Sequence, residues 1–326
     1  MRAVVTGGAG FVGSHLIESL LSAGHDVVCL ERPGASLRWI TGLPVRLVCC
    51  GVEDPRGLAA AFDGADVVFH LAGLTEARRP EDFYAVNTEG TATVLRAAAQ
   101  QGNRPPKVIL ASSIAAVGPC RNGERLGRES VPYPLSHYGQ SKLLAEAVVH
   151  AYRDRVPGTI VRWPSVYGPR ERGVLKFFQL VRRGVAVTIG SWDREVSLIY
   201  VKDAVDGLLR VAEAPDSAGH TYYLAYPEPV TWRAFARAVG DALRREPILI
   251  SVPRPVAQVV ATVTETVAAV RRRAAILNRE RVRELTQTRW VCDVSSACAE
   301  LGFQPSYPVA RAVPETAAWY REAGWL

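Results

Sequence analysis

Apolar residues open the chain as a short continuous run, Ala3-Val4-Val5. After a glycine-rich break they recur at helical spacing as Leu16, Ile17, Leu20 and Leu21. A buried strand running into an amphipathic helix reads this way. The alternation continues to about residue 165. It predicts strands near 26–30, 45–49, 66–70, 107–111 and 158–162, and helices near 55–62, 80–101 and 136–154. Such a chain builds an α/β fold, a doubly wound parallel sheet with its ligand at the carboxyl ends of the strands. Beyond residue 168 the pattern loosens. Helices are expected near 173–183, 203–213, 231–244, 254–274, 278–285 and 308–323, and strands near 196–200 and 220–225. The expected division is a sheet domain over 1–167, rejoined by 196–225, and a smaller, mostly helical substrate lobe over 168–195 and 226–326.

The break after the first strand is Gly7-Gly8-Ala9-Gly10-Phe11-Val12-Gly13. Gly7 allows a tight turn, Gly10 lets backbone approach a pyrophosphate, and Gly13 lets helix pack on strand. Phosphate then lies on free N–H groups at the helix start. This is a Rossmann-type dinucleotide turn in its G-x-x-G-x-x-G form, in the strand–turn–helix context it requires. Glu31 ends the second strand, where a carboxylate accepts from the adenosine ribose hydroxyls and repels a 2′-phosphate. Arg32 beside it argues for a 2′-phosphate or stacks on adenine. The cofactor expected is NAD, with NADP as the alternative; a solvated turn at Glu31-Arg32 is the plain reading.

The 326 residues are 48% apolar and 22% charged, with a formal net charge of +7. That is the composition of a soluble globular chain with room for a sizeable core. The charge is spread, with Arg271-Arg272-Arg273 the one tight cluster, and no basic–aromatic motif supports nucleic-acid binding. The first strand begins at the N-terminus, so no signal peptide is expected. The apolar stretch from Pro255 to Val270 is broken by Gln258, Thr262, Thr264, Glu265 and Thr266, too short and polar to span a bilayer. Six cysteines show no metal-ligand spacing, and Cys29 and Cys49 fall in expected strands, which fits a reducing cytoplasm and no metal.

Tyr138-Gly139-Gln140-Ser141-Lys142 sets a phenol and an ammonium at i and i+4, one face of a helix. A free phenol ionises near pH ~10, and a neighbouring cation lowers that value. Such a tyrosine moves a proton to or from an alcohol or carbonyl near neutral pH.

In this order the residues resemble the extended short-chain dehydrogenases/reductases, the NAD-dependent epimerase/dehydratase family. The resemblance rests on Thr6 to Gly13, Glu31, His70-Leu71-Ala72-Gly73, Asn87-Thr88-Glu89-Gly90-Thr91, Ser112-Ser113 and the Tyr138/Lys142 pair. Val166-Tyr167-Gly168-Pro169-Arg170, Tyr200-Val201-Lys202-Asp203 and Glu300-Leu301-Gly302-Phe303-Gln304-Pro305 extend it over nearly the whole chain. It implies that Tyr138 is the general acid/base, that Ser113 holds the reacting oxygen, and that Lys142 bonds the nicotinamide ribose. The cofactor would lie on Gly7, Gly10, Phe11, Val12, Gly13, Glu31, Arg32, Leu71, Ala72 and Gly73, and against Tyr138, Lys142, Pro164 and Val166. Glu76, Ser113, Ala115, Ser165 and Tyr200 would face substrate. Asn87 would tie helix to sheet and Ser112 would brace the strand end. A homodimer through the helices carrying Asn87 and Tyr138 is also implied.

The implied activity is hydride transfer between nicotinamide and a secondary alcohol or ketone. A sugar-nucleotide epimerase or dehydratase with the same three residues, and a non-catalytic dinucleotide sensor, are the alternatives. Departures from the family pattern bear on that choice. Cys50-Gly51-Val52-Glu53-Asp54 lacks the aspartate that contacts adenine, leaving Glu53 or Asp54. Ser165 stands where sugar-nucleotide epimerases carry asparagine, Val117 where they carry tyrosine, and Arg194 is out of register with their diphosphate-binding arginine. The stretch Ser112 to Pro119 is nearer the 3β-hydroxysteroid dehydrogenases and dihydroflavonol-type reductases, so a fairly apolar substrate is expected. Val256, Val259, Val260, Val263, Val267 and Val270 form a stripe at helical spacing. It reads as a wall or lid for such a substrate, as a surface helix in weak peripheral contact with membrane, or as a helix packed on the core. Trp163, Trp192 and Tyr200 line a pocket or belong to the core. Glu76, Arg78 and Arg79 face substrate or form a solvated loop.

Overall fold

The computed structural model describes residues 1–102, 104–121, 123–271 and 277–326. Arg272, Arg273 and the end of the helix expected over 254–274 lie outside the described residues, as does the side chain of Val270. Six strands follow the expected order: β1 (Arg2–Thr6), β2 (Asp26–Glu31), β3 (Arg46–Cys49), β4 (Val67–His70), β5 (Lys107–Ser113) and β6 (Gly158–Trp163). With Thr221–Tyr223 they form one parallel seven-stranded sheet, ordered Thr221–Tyr223, β6, β5, β4, β1, β2, β3. The near-continuous apolar runs of its central strands are what a sheet covered on both faces requires.

Five helices accompany this part of the chain: α1 (Phe11–Ser22), α2 (Pro55–Phe62), α3 (Pro80–Phe83), α4 (Gly90–Ala99) and α5 (His137–Ala151). Leu16, Ile17 and Leu20 of α1 share one face of the sheet with Ala204 and Leu208 of helix Val201–Glu213. Leu58 and Phe62 of α2, Val94 and Ala98 of α4, and Ala145 and Val149 of α5 cover the other. The order reverses at β1, whose neighbours are β2 and β4. The crevice at that switch point is where such sheets bind ligands.

Some expectations change. The helix expected over 80–101 is three pieces, with a π-helical stretch Tyr84–Glu89 between α3 and α4. The strand expected at 196–200 is two, interrupted at Ser197. Glu195–Val196 joins Val230–Thr231 and Arg289–Trp290, and Leu198–Tyr200 pairs with Ser165–Tyr167. A parallel pair, Val185–Ile189 with Ile248–Val252, and a helix, Ser295–Leu301, went unforeseen. Short strands beside glycine and proline carry too few residues to show a period.

Candidate active site

Gly7 leaves β1 at φ +68°, and a Cβ there would stand 2.9 Å from the backbone of Ala72. Gly13 opens no more room, since its Cβ would lie 2.7 Å from the Gly8 Cα. Gly10 caps α1 without a side chain to occupy the helix N–H groups, which leaves them to an anion. The Ala9 N–H donates to the Glu31 carboxylate at 2.7 Å. Burial raises the pKa of Glu31. Thus the carboxylate expected at the ribose also holds the turn in shape, while Arg32 is exposed. Phe11 and Val12 are half-buried at the start of α1. Asp54, weighed as an adenine contact, instead caps α2 by accepting from the Arg56 and Gly57 N–H groups.

A cleft of about 450 Å³ opens beside the turn, lined in part by Gly10, Phe11, Ser36, Arg38, Trp39 and Arg172. The Arg38 guanidinium lies 4.1 Å from the centre of the Trp39 ring. No motif marked Ser36, Arg38, Trp39 or Arg172 in the sequence.

Across the crevice, the loop after β4 is fixed by a directed chain of hydrogen bonds. The Ala72 N–H donates to Thr6 Oγ1 at 3.1 Å, and that hydroxyl faces His70 Nδ1 at 2.9 Å. His70 Nε2 faces Thr91 Oγ1 at 3.0 Å, and the Thr91 hydroxyl donates to the Asn87 carbonyl at 2.6 Å. Because the Thr91 hydroxyl donates to Asn87, Nε2 must carry a proton, and in the neutral ring Nδ1 then accepts from the Thr6 hydroxyl. Burial holds the His70 pKa down at about 3. Asn87, in the π-helical turn, accepts from the Leu74 N–H at 2.8 Å and donates to the Leu74 carbonyl and to Ser141 Oγ on α5. It ties this loop to α5.

Ser136 caps α5 by accepting from the Gly139 N–H at 3.1 Å, which sets Tyr138 in the first turn and Lys142 one turn on. Gly139 is required because a Cβ there would strike the Ala115 carbonyl. The Ala115 N–H in turn donates to Ser113 Oγ at 3.1 Å, so that hydroxyl's own proton stays available. Ser113 ends β5 beside Tyr138.

Lys142 is buried against Gly73, where an added Cβ would sit 3.6 Å from Nζ. Burial lowers its pKa to about 8, against the pull of Glu146. The expected lowering of the Tyr138 pKa does not hold. Burial raises it, the Ser113 hydroxyl opposes, Glu284 adds to the rise and Arg281 opposes. Desolvation of the phenolate outweighs the nearby charges.

Beneath this face lies an ion pair the spacing reading missed. Glu146, one turn past Lys142, accepts from Arg162 at 2.9 and 2.6 Å and from the Ser112 hydroxyl. Arg162 also donates to the Tyr223 hydroxyl at 2.7 Å. Ser112 therefore braces strand to helix. The overlooked signal was Arg162 itself, a lone charge inside an apolar strand, which needs a partner.

Other expectations scatter. Ser165 is exposed, with Val166 half-buried and Pro164 buried beside it. Tyr200 is a correction: it is 1% exposed, in the lobe core with Tyr167 and Tyr307, and donates to Glu315. Trp163 and Trp192 are likewise buried. Glu76 is exposed, and Arg79 is paired with Asp82 at 2.8 Å. Arg194 turns inward, donating to the Ser191 carbonyl and to Thr188 Oγ1.

A dinucleotide fits these residues. Gly10 leaves the N–H groups at the start of α1 without a side-chain cap, open to a pyrophosphate, and the Lys142 ammonium is buried with no carboxylate paired to it among the described residues.

The family model for the NAD dependent epimerase/dehydratase family matches residues 3–225. A ceramide reductase of Caulobacter vibrioides is 30% identical over 322 residues, covering 99% of this chain and 95% of that protein. A 3 beta-hydroxysteroid dehydrogenase/Delta 5-->4-isomerase of Mycobacterium tuberculosis is 30% identical over 263 residues, 74% of this chain and 69% of its own. Among solved structures, a Thermus thermophilus UDP-glucose 4-epimerase in complex with NAD superposes with a TM-score of 0.80 at 24% identity. That match covers 99% of this chain and 100% of the other.

Proposed function

The chain belongs to the NAD dependent epimerase/dehydratase family, and from there we propose that it is an oxidoreductase acting on a secondary alcohol or ketone of an apolar, lipid-like molecule, with Tyr138 as general acid/base. The observation that carries the reading is the placement of Ser113 against Tyr138, with Lys142 one turn on along the same helix and buried beside Gly73. When bound, the dinucleotide supplies the hydride acceptor or donor at its nicotinamide. The residues at hand to hold it are the glycine turn, Glu31, Leu71 to Gly73 and Lys142. In the reducing direction Ser113 Oγ–H orients the carbonyl oxygen and Tyr138 O–H gives it a proton. The raised phenol pKa keeps that proton in place at neutral pH. In the oxidising direction the phenolate takes the proton back.

The nature of the substrate rests on Arg194, Val117 and Ser165. Arg194 is committed to Ser191 and Thr188, Val117 is buried, and Ser165 carries no amide, so little cationic or amide grip is left for a sugar diphosphate. The full-length likeness to a ceramide reductase supports an apolar ketone. Within this reading residues 168–195 and 226–326 form the substrate lobe. The test is net nicotinamide turnover with long-chain ketones against UDP-sugars. Tyr138→Phe should lower kcat by about 10²–10⁴ with dinucleotide affinity retained. Unchanged turnover in that variant would sink the proposal. Epimerised UDP-sugar without net cofactor turnover would replace it with the epimerase reading.

A further inference from the structure

We propose that the apolar face of helix Arg254–Val270 is a docking surface for an anionic lipid bilayer. Val256, Val259, Val260, Val263 and Val267 are 51%, 66%, 45%, 56% and 44% exposed. Their spacing places them on one side of the helix. The other side holds Ala257 and Ala261, buried with Val282 against Val252 and Ile189. The core reading of the stripe is thus reversed: the alanines face the protein and the valines face out.

What is exposed between the valines suits lipid. Gln258, Thr262 and Thr266 are uncharged. The Thr262 and Thr266 hydroxyls donate to the carbonyls one turn back, at 2.9 Å each, so neither brings an unpaired donor to an apolar phase. The one acid of the helix, Glu265, is turned to Arg279, accepting from its N–H and its Nε at 2.8 Å.

Positive charge stands at both ends. Arg254 opens the helix, Arg271 follows it, and the sequence continues Arg272-Arg273 in a chain of net charge +7. A 17-residue helix is about 25 Å long. A valine face with arginine ends at that length matches a helix lying in the headgroup layer, its cations on lipid phosphates. It suits a second copy poorly, because an antiparallel pairing would set Arg254 against Arg271 at both ends. No helix among the described residues is long and apolar enough to cross a membrane, so the contact is peripheral.

The docked helix lies close to the chemistry. Helix Arg279–Leu285 packs against it, and Glu284 and Glu280 of that helix accept from Ser136 Oγ and the His137 N–H, next to Tyr138. Docking would bring this end of the site to the bilayer, where an apolar substrate dissolves. That consequence rests on the proposed function; the docking does not.

The test is co-sedimentation of the full chain, without substrate, with vesicles of phosphatidylcholine and phosphatidylglycerol. Pure phosphatidylcholine vesicles serve as comparison. The protein should pellet with the mixed vesicles, less so at high salt. Val259→Asp combined with Val263→Asp should weaken binding at least about ten-fold, with its melting temperature and its activity on a water-soluble ketone unchanged. Arg254→Glu should weaken binding to mixed vesicles alone. Wild-type protein that stays in the supernatant overturns the proposal, as does a double variant that pellets like wild type. So does a wild-type dimer in sedimentation that the double variant dissociates, which would assign the face to a second copy. Protein that binds vesicles but reduces no ketone keeps the docking surface and loses the substrate reading.

Discussion

Tyr138 is held as a neutral phenol by its half-buried site, not tuned toward phenolate by Lys142. In the proposed reaction this makes it a ready acid, and the pH dependence has a definite sign. The proposed ketone reduction needs the protonated phenol, so its kcat/KM should stay level through neutral pH and fall as pH rises through the phenol pKa. Alcohol oxidation should rise over the same range. A reduction rate that increases with pH there would reject Tyr138 as the acid. His70 carries a second sign. Its folded pKa is about 3 against 6.5 when free. Above pH 6.5 both states are neutral and nothing is lost. Between roughly 6.5 and 3 the unfolded ring takes a proton the folded one refuses, so stability falls on acidification by up to about 1.4 kcal/mol per unit. His70→Gln should flatten that limb in urea titrations at stepped pH. The glycine turn, Glu31, Ser113 and the Tyr138/Lys142 pair were legible because turn geometry and helical spacing are local. The phenol's shift and the burial of Tyr200 were not, because desolvation depends on what the remote half of the chain lays over them.

Helix α5 does its work because two elements clamp it. On one side the π-helical turn presents Asn87 to Ser141, and on the other Glu146 reaches Arg162 in β6. A π-helical insertion shifts side-chain direction within a helix, and such insertions concentrate at functional sites. Here it aims Asn87 at both the loop after β4 and α5. The Glu146–Arg162 pair is buried, at 3% and 9% side-chain exposure. Removing one partner strands the other, so Glu146→Gln or Arg162→Met alone should cost about 3–5 kcal/mol, while an apolar pair at both positions should come near wild type. Urea unfolding of the two singles and the double measures it; additive losses would refute the coupling. Glu146→Gln should also lower the Lys142 pKa further, since Glu146 is the charge raising it. The sequence pattern located α5 and β6, but it could not show that Arg162 and Glu146 meet. Their register is fixed only when the sheet assembles.

At the scale of the molecule, the C-terminal lobe reaches back to the chemistry through one short helix. Arg279–Leu285 sends Glu280 to the His137 N–H and Glu284 to Ser136 Oγ, two carboxylates at the N-terminus of α5 where the helix dipole favours them. Glu284 also adds to the rise of the Tyr138 pKa, behind burial, so under the proposed function the C-terminal part of the chain contributes to the acid's strength. At the alkaline pH where the phenol titrates, Glu284 carries its charge, and Glu284→Gln removes it. The amide still accepts from Ser136, so the cap is kept. The phenol pKa should therefore fall, and the alkaline limb of ketone reduction should move to lower pH with little change in the plateau kcat. Glu284→Ala loses the cap partner as well and should lower thermal stability besides. A profile unmoved by Glu284→Gln would mean that the lobe only buries Tyr138. A profile moved by Glu284→Gln but restored at high salt would mark the effect as one of charge rather than shape.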